Sequence, residues 1–110
     1  MPLNQNDIGG QVVKNDERYI VKDNSFGNTL VLSSTRLHGG WETTGHKHDG
    51  QEEVYFFIEG EGLIQLNESY TEVKAGDIVP IEDGVFHRVY NTSDDNDLYF
   101  ICVFDGKRKV

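Results

Sequence analysis

The stretch Gly40-Trp41-Glu42-Thr43-Thr44-Gly45-His46-Lys47-His48-Asp49-Gly50-Gln51-Glu52-Glu53-Val54-Tyr55-Phe56-Phe57-Ile58-Glu59-Gly60 decides how this chain is read. Its end, Val54 to Ile58, is a short β-branched and aromatic run closed by glycine, which is strand-and-turn grammar. Its middle places His46 and His48 at i and i+2, a spacing that on a strand projects both side chains from one face, so the two imidazoles can grip one ion. Glu53 follows, and His87 arrives in a separate segment that ends at Asn91. Imidazole combined with carboxylate suits a borderline or moderately hard divalent ion such as iron, manganese, nickel or zinc; an all-oxygen cage would suit calcium or magnesium.

The same grammar runs outward through the chain. Apolar bursts occur at Tyr19 to Val21, Thr29 to Leu37, Leu63 to Leu66, Ile78 to Ile81, Val85 to Tyr90 and Leu98 to Phe104, separated by clusters of Gly, Asn, Asp and Ser. Tight-turn chemistry stands at Gly39-Gly40, Asp49-Gly50, Gly60-Glu61-Gly62, Ala75-Gly76-Asp77 and Asp83-Gly84. No window sustains a helical period, so the expectation is an all-β sandwich or barrel. Residues 1–17 read as an N-terminal arm or exchanged strand around Gln11-Val12-Val13, residues 18–105 as the barrel, and residues 106–110 as a solvated basic tail carrying Lys107, Arg108 and Lys109.

Composition bounds the function. With 110 residues, 36% hydrophobic and 11% aromatic, the chain supports one ordinary core and therefore one domain. A net charge of -9 argues against nucleic acid and anionic membrane as partners, since phosphate binding needs clustered Lys and Arg. Cys102 is the single cysteine and cannot form an internal disulfide. No basic, apolar leader and no bilayer-length apolar stretch is readable, so a cytoplasmic location is expected.

Written with intervals, the first segment is Gly40, five residues, His46, one residue, His48, four residues, Glu53, six residues, Gly60; the second is Gly76, seven residues, Gly84, two residues, His87, three residues, Asn91. These spacings resemble the two motifs of the cupin family, and the resemblance covers about residues 28 to 104. One departure is visible: where the second motif usually has proline two residues before the later glycine, this chain has Glu82, with Pro80 two positions earlier. The resemblance implies a small double-stranded β-helix, a jelly-roll barrel of two antiparallel sheets with a metal ion held inside. It also implies that His46, His48, Glu53 and His87 are the ligands. Glu52 is the competing carboxylate; the six-residue interval to Gly60 favours Glu53, and strand alternation turns Glu52 the other way.

Parity from Glu53 turns Tyr55 and Phe57 inward, and parity from His87 turns Val85 and Val89 inward, with Ile64 and Leu66 adding wall. Tyr55 is then the candidate for orienting substrate or moving a proton beside the ion, with a plain core role as its alternative. Arg36 is read first as a surface ion-pair partner and second as a carboxylate anchor, and Cys102 as a small buried hydrophobe. Four protein ligands leave open positions on an ion that prefers five or six, whereas a tetrahedral ion would be saturated and structural. The leading functional expectation is an enzyme that uses the ion as a Lewis acid on a small polar metabolite, of isomerase, epimerase or lyase type, with Tyr55 or Glu53 moving the proton. Alternatives are a non-haem iron dioxygenase and a non-catalytic small-ligand-binding module. A homodimer is expected from the open edges of a small sandwich.

Overall fold

The computed structural model describes residues 2–106; Lys107, Arg108 and Lys109, read above as a basic tail, lie outside the described residues. Nine strands and no helix occur among the described residues: β1 (Gln11–Asn15), β2 (Tyr19–Phe26), β3 (Leu30–Leu37), β4 (Glu53–Glu59), β5 (Glu61–Leu66), β6 (Ser69–Lys74), β7 (Ile78–Ile81), β8 (His87–Asn91) and β9 (Leu98–Asp105). They form a six-stranded sheet in the order β1-β2-β3-β9-β4-β7 facing a three-stranded sheet in the order β6-β5-β8. Every named pairing is antiparallel. The fold is the all-β jelly roll that the family resemblance implied. The two sheets face each other without a continuous hydrogen-bonded closure, so the architecture is an open sandwich more than a sealed barrel.

Register across the large sheet decides which side chains meet inside, because residues directly opposite one another in an antiparallel pair share a face. One row is Val21, Thr35, Phe100 and Phe57; the next is Asp23, Ser33, Cys102 and Tyr55; a third brings Phe104 beside Glu53. The core is built on this inner face and the facing sheet, with Leu37, Phe57, Ile64, Val89 and Leu98 fully buried. Val85 and Leu66 pack against it. A second, smaller cluster covers the outer face of the large sheet, where Ile8 packs with Tyr99 and Ile101. Asn24 Nδ2 donates to the carbonyls of Ile8 and Gly9 and so fastens that segment to β2, while β1 pairs with β2 of the same chain.

Two elements differ from the sequence reading. Strand β6 carries no apolar burst; only Val73 is buried on it, because it is the outer strand of the small sheet and its other side chains face solvent. The His46–His48 segment is not a regular strand. It runs as an irregular strip along β8, held by isolated bridges of Glu42 to Tyr90 and His46 to His87.

The chain passes from one sheet to the other at Gly60, between β4 and β5, with φ +90°; a Cβ there would lie 2.5 Å from the Asp97 carbonyl oxygen. Both the left-handed backbone and the close approach require glycine. Gly60→Ala is expected to cost about 1–3 kcal/mol in urea unfolding. Phe57→Ala, which empties the centre of the core, is expected to cost about 3–5 kcal/mol in the same measurement.

Candidate metal centre

His87 opens β8 and is 3% exposed, and Glu53 opens β4 and is 6% exposed. Two different sheets therefore deliver one imidazole and one carboxylate to the same buried point, with His87 Nε2 3.2 Å from Glu53 Oε2. The other ring nitrogen, Nδ1, lies 3.1 Å from the Val85 carbonyl. A carbonyl can only accept, so Nδ1 carries the proton, and the Nε2 lone pair is directed at the carboxylate. Two acceptors facing each other need a proton or a cation between them. Burial pulls the His87 imidazole toward neutrality, but the Glu53 carboxylate and then the Val85 carbonyl outweigh it, holding its pKa above the ordinary value. In distance the contact is an ion pair, yet it lacks hydrogen-bond alignment, and Glu53 Oε2 has no hydrogen-bond partner.

His48, half-buried, completes a group with these two whose candidate ligand atoms all lie within 4.8 Å of one another. Two nitrogens and an otherwise orphaned buried carboxylate oxygen form a donor set that fits a divalent ion of the iron-to-zinc series. His46 stands at the exposed rim: its ring stacks on His48 at 5.5 Å between centroids and lies 6.0 Å from His87. The tight group thus contains three of the four residues named from the spacing, with the fourth adjacent to it. Glu52 is exposed.

The strip bearing the histidines is positioned by backbone bonds to β8 and its lead-in. Thr43 N donates to the Val89 carbonyl, His46 and His87 exchange both N–H groups at 3.0 and 2.8 Å, and Gly84 N donates to the His48 carbonyl. The Phe86 ring fills the space where a side chain on Gly45 would stand, which makes glycine necessary there. Behind the strip, Gln51 Nε2 donates to the Asp105 carbonyl at 2.6 Å and sets the entry into β4.

The group lies in a cavity of ≈ 430 Å³ between the sheets. Tyr55 lines it, buried, with its ring edge-on to His87 at 5.8 Å and stacked on Phe100 at 5.2 Å. Cys102, buried and not in a disulfide, is also in the wall. Val89 and Ile64 are core rather than cavity wall. A groove of ≈ 450 Å³ along β5 and β6 is slightly larger, but among its lining residues there is no histidine, and Glu61, Glu72 and Asp77 leave it without a converging donor set. Arg36 is on the outer face, 3.4 Å from both Glu59 and Asp97 with its guanidinium over the Tyr99 ring, away from the cavity. His38 pairs with Asp97.

Sequence reasoning missed six polar lining residues: Lys14, Tyr19, Thr43, Asp23, Ser33 and Thr35. The last three lie on alternate positions of β2 and β3, a period-two signal that acquires a face only once the pairing partner is known.

Residues 34–104 match the family model of the cupin domain. The chain belongs to the cupin family. It is 33% identical over 73 residues to the "Oxalate-binding protein" of Thermotoga maritima, a match that spans 66% of this chain and 60% of that protein. It is also 33% identical over 84 residues to an uncharacterized protein of Methanocaldococcus jannaschii, across 66% of this chain and 67% of that protein. Among solved structures, the fold superposes on a "predicted oxalate decarboxylase" of Thermotoga maritima with a TM-score of 0.78, at 24% identity over 96% of this chain and 98% of that one. It superposes on KdgF from Halomonas sp. with a TM-score of 0.77, at 15% identity over 90% of this chain and 88% of the other. At these identities the two superpositions speak for the cupin fold alone.

The geometry sets an order for ligand removal. His87→Ala, His48→Ala and Glu53→Gln are each expected to lower metal occupancy by about 10-fold or more, as measured by elemental analysis after gel filtration, while Glu52→Ala leaves it unchanged. His46→Ala is expected to lower occupancy as well. Occupancy equal to wild type in the His87, His48 and Glu53 variants would refute the site.

Proposed function

We propose that this cupin is a metal-dependent enzyme acting on a small polar metabolite. One divalent ion, iron, manganese, nickel or zinc, is held by His48, Glu53 and His87, with His46 as the fourth ligand. The observation that carries the reading is the buried Glu53 carboxylate oxygen, which faces the His87 Nε2 lone pair without an aligned donor, at the floor of an open cavity. An ion held there would have room on its cavity side for a substrate oxygen, unlike one in a closed structural site. When bound, the ion supplies Lewis acidity toward that oxygen and so acidifies the neighbouring carbon proton.

The residues around it suit proton-moving chemistry of the isomerase, epimerase or lyase type. Tyr55 places a buried phenol in the cavity wall, its ring edge-on to His87 and stacked on Phe100, where it can orient a substrate or move a proton. Glu53, anchored at the start of β4, is the second group able to take a proton. The name of the Thermotoga maritima "Oxalate-binding protein" favours one other reading, a cavity that holds a small carboxylate without turning it over. We place the protein in the cytoplasm as a homodimer, with no nucleic-acid or membrane partner. The exposed Val12 and Val13 on edge strand β1 and Ile78 on edge strand β7 are the apolar edges that a second copy would cover.

Protein purified without added metal is expected to carry about one equivalent of a transition metal, and to exchange the carbon-bound proton of 2-hydroxy or 2-oxo acids in deuterated water, followed by NMR. Tyr55→Phe is expected to slow that exchange by about 10²- to 10⁴-fold at unchanged metal content. Metal and tight carboxylate binding without exchange or turnover would move the assignment to the binding module. Oxygen consumption by the iron-loaded form would move it to a dioxygenase.

A further inference from the structure

Strand β1 is an edge strand, and its pairing with β2 contains a β-bulge. Gln11 opposes Asp23 and Val12 opposes Lys22, but Lys14, not Val13, opposes Val21. In an unbroken register Lys14 would oppose Ile20 and share its outward face. The extra residue turns Lys14 inward, onto the face of Val21 and Asp23, and bulges beside functional sites commonly re-aim a side chain in this way.

The consequence is a lysine in the wall of the metal cavity. Lys14 is half-buried, and its Nζ lies 4.9 Å over the ring of Tyr19. Tyr19 in turn donates its hydroxyl to Thr44 Oγ1 at 3.2 Å, two residues before His46, so the platform under the ammonium is tied to the histidine strip. Among the described residues Lys14 is the only lysine or arginine lining the cavity, and no carboxylate lies within ion-pair distance of it. Asp23 lines the same cavity, and its Oδ1 is buried with no hydrogen-bond partner. Ser33 and Thr35, both buried, add hydroxyls on neighbouring positions of the same face.

Resting on the metal-centred reading of this cavity, we propose that the site selects a small hydroxylated carboxylate, with Lys14 anchoring the carboxylate and Asp23 accepting a hydroxyl. An ammonium with no carboxylate partner calls for an anion, and an orphaned buried acceptor calls for a donor. A bare dicarboxylate such as oxalate satisfies the first and leaves Asp23 facing a like charge; a polyol satisfies the second and leaves Lys14 without an anion. Only a ligand with both groups answers both residues, and sites with buried polar groups reject analogues that leave them unpaired.

The test uses three probes of equal carbon length titrated calorimetrically into the metal-loaded full chain: tartrate, succinate, which lacks the hydroxyls, and threitol, which lacks the carboxylates. Tartrate is expected to bind about tenfold or more tightly than either of the others. Lys14→Met is expected to erase the advantage of tartrate over threitol, Lys14→Arg to keep most of it, and Asp23→Ala to erase the advantage over succinate, all at wild-type metal content. Full metal content with tartrate binding absent, or equal in wild type and Lys14→Met, overturns this inference and leaves the metal reading standing. Lys14-dependent tartrate binding by protein that takes up no metal does the reverse.

Discussion

The exchange of backbone hydrogen bonds between His46 and His87, at 3.0 and 2.8 Å, is the splice on which the site depends. It joins an irregular strip to a regular strand and sets the rings of His46, His48 and His87 within 5.5 to 6.0 Å of one another. Each such bond contributes only about 0.5–1.5 kcal/mol net, so two alone would not hold a flexible, glycine-rich segment in place. The strip stays because the bonds repeat along it: Asn91 N to the Trp41 carbonyl, Thr43 N to the Val89 carbonyl and Gly84 N to the His48 carbonyl. At its far end Gly50 N donates to Asp83 Oδ1 at 2.6 Å. The strip behaves as an added edge to the small sheet while its irregularity leaves the histidines free to converge.

Beneath that splice lies an electrostatic tension. Taking Glu53 and His87 out of water is costly, and a buried charged pair repays desolvation only with good geometry and satisfied lone pairs. Here the alignment is poor, and one carboxylate oxygen is left over. A proton on His87 relieves part of the strain; a divalent cation held by these residues would relieve more, because it would neutralise the carboxylate and take up the imidazole lone pair together. Metal binding would therefore be coupled to the stability of the contact between the two sheets, since β4 belongs to one and β8 to the other. The same logic explains the tolerance of so many polar groups on an inner face: Asp23, Ser33 and Thr35 line a cavity instead of facing packed hydrocarbon.

Much of this was legible in the residues. Strand alternation around Glu53 separates it from exposed Glu52 and sends Tyr55 and Phe57 inward, and the structure places all four accordingly. Strand β6 was not legible, because an edge strand wet on one face needs only a single apolar residue, Val73, and so presents no pattern. The inward lysine was not legible either. A bulge inverts the facing of every residue beyond it, and nothing in Gln11-Val12-Val13-Lys14-Asn15 announces the inserted position.

By itself, then, the sequence determined the all-β class, which rests on local periodicity, and the identity of the metal-ligand candidates, which rests on motif intervals resembling those of the cupin family. Tertiary structure decided how far the sheets close, which three donors come closest together, and what else looks into the cavity. Those depend on cross-strand register and on contacts between segments tens of residues apart, such as Lys14 with the ring of Tyr19 and His46 with His87. A one-residue change in pairing there reverses which face a side chain occupies, without altering a single local propensity.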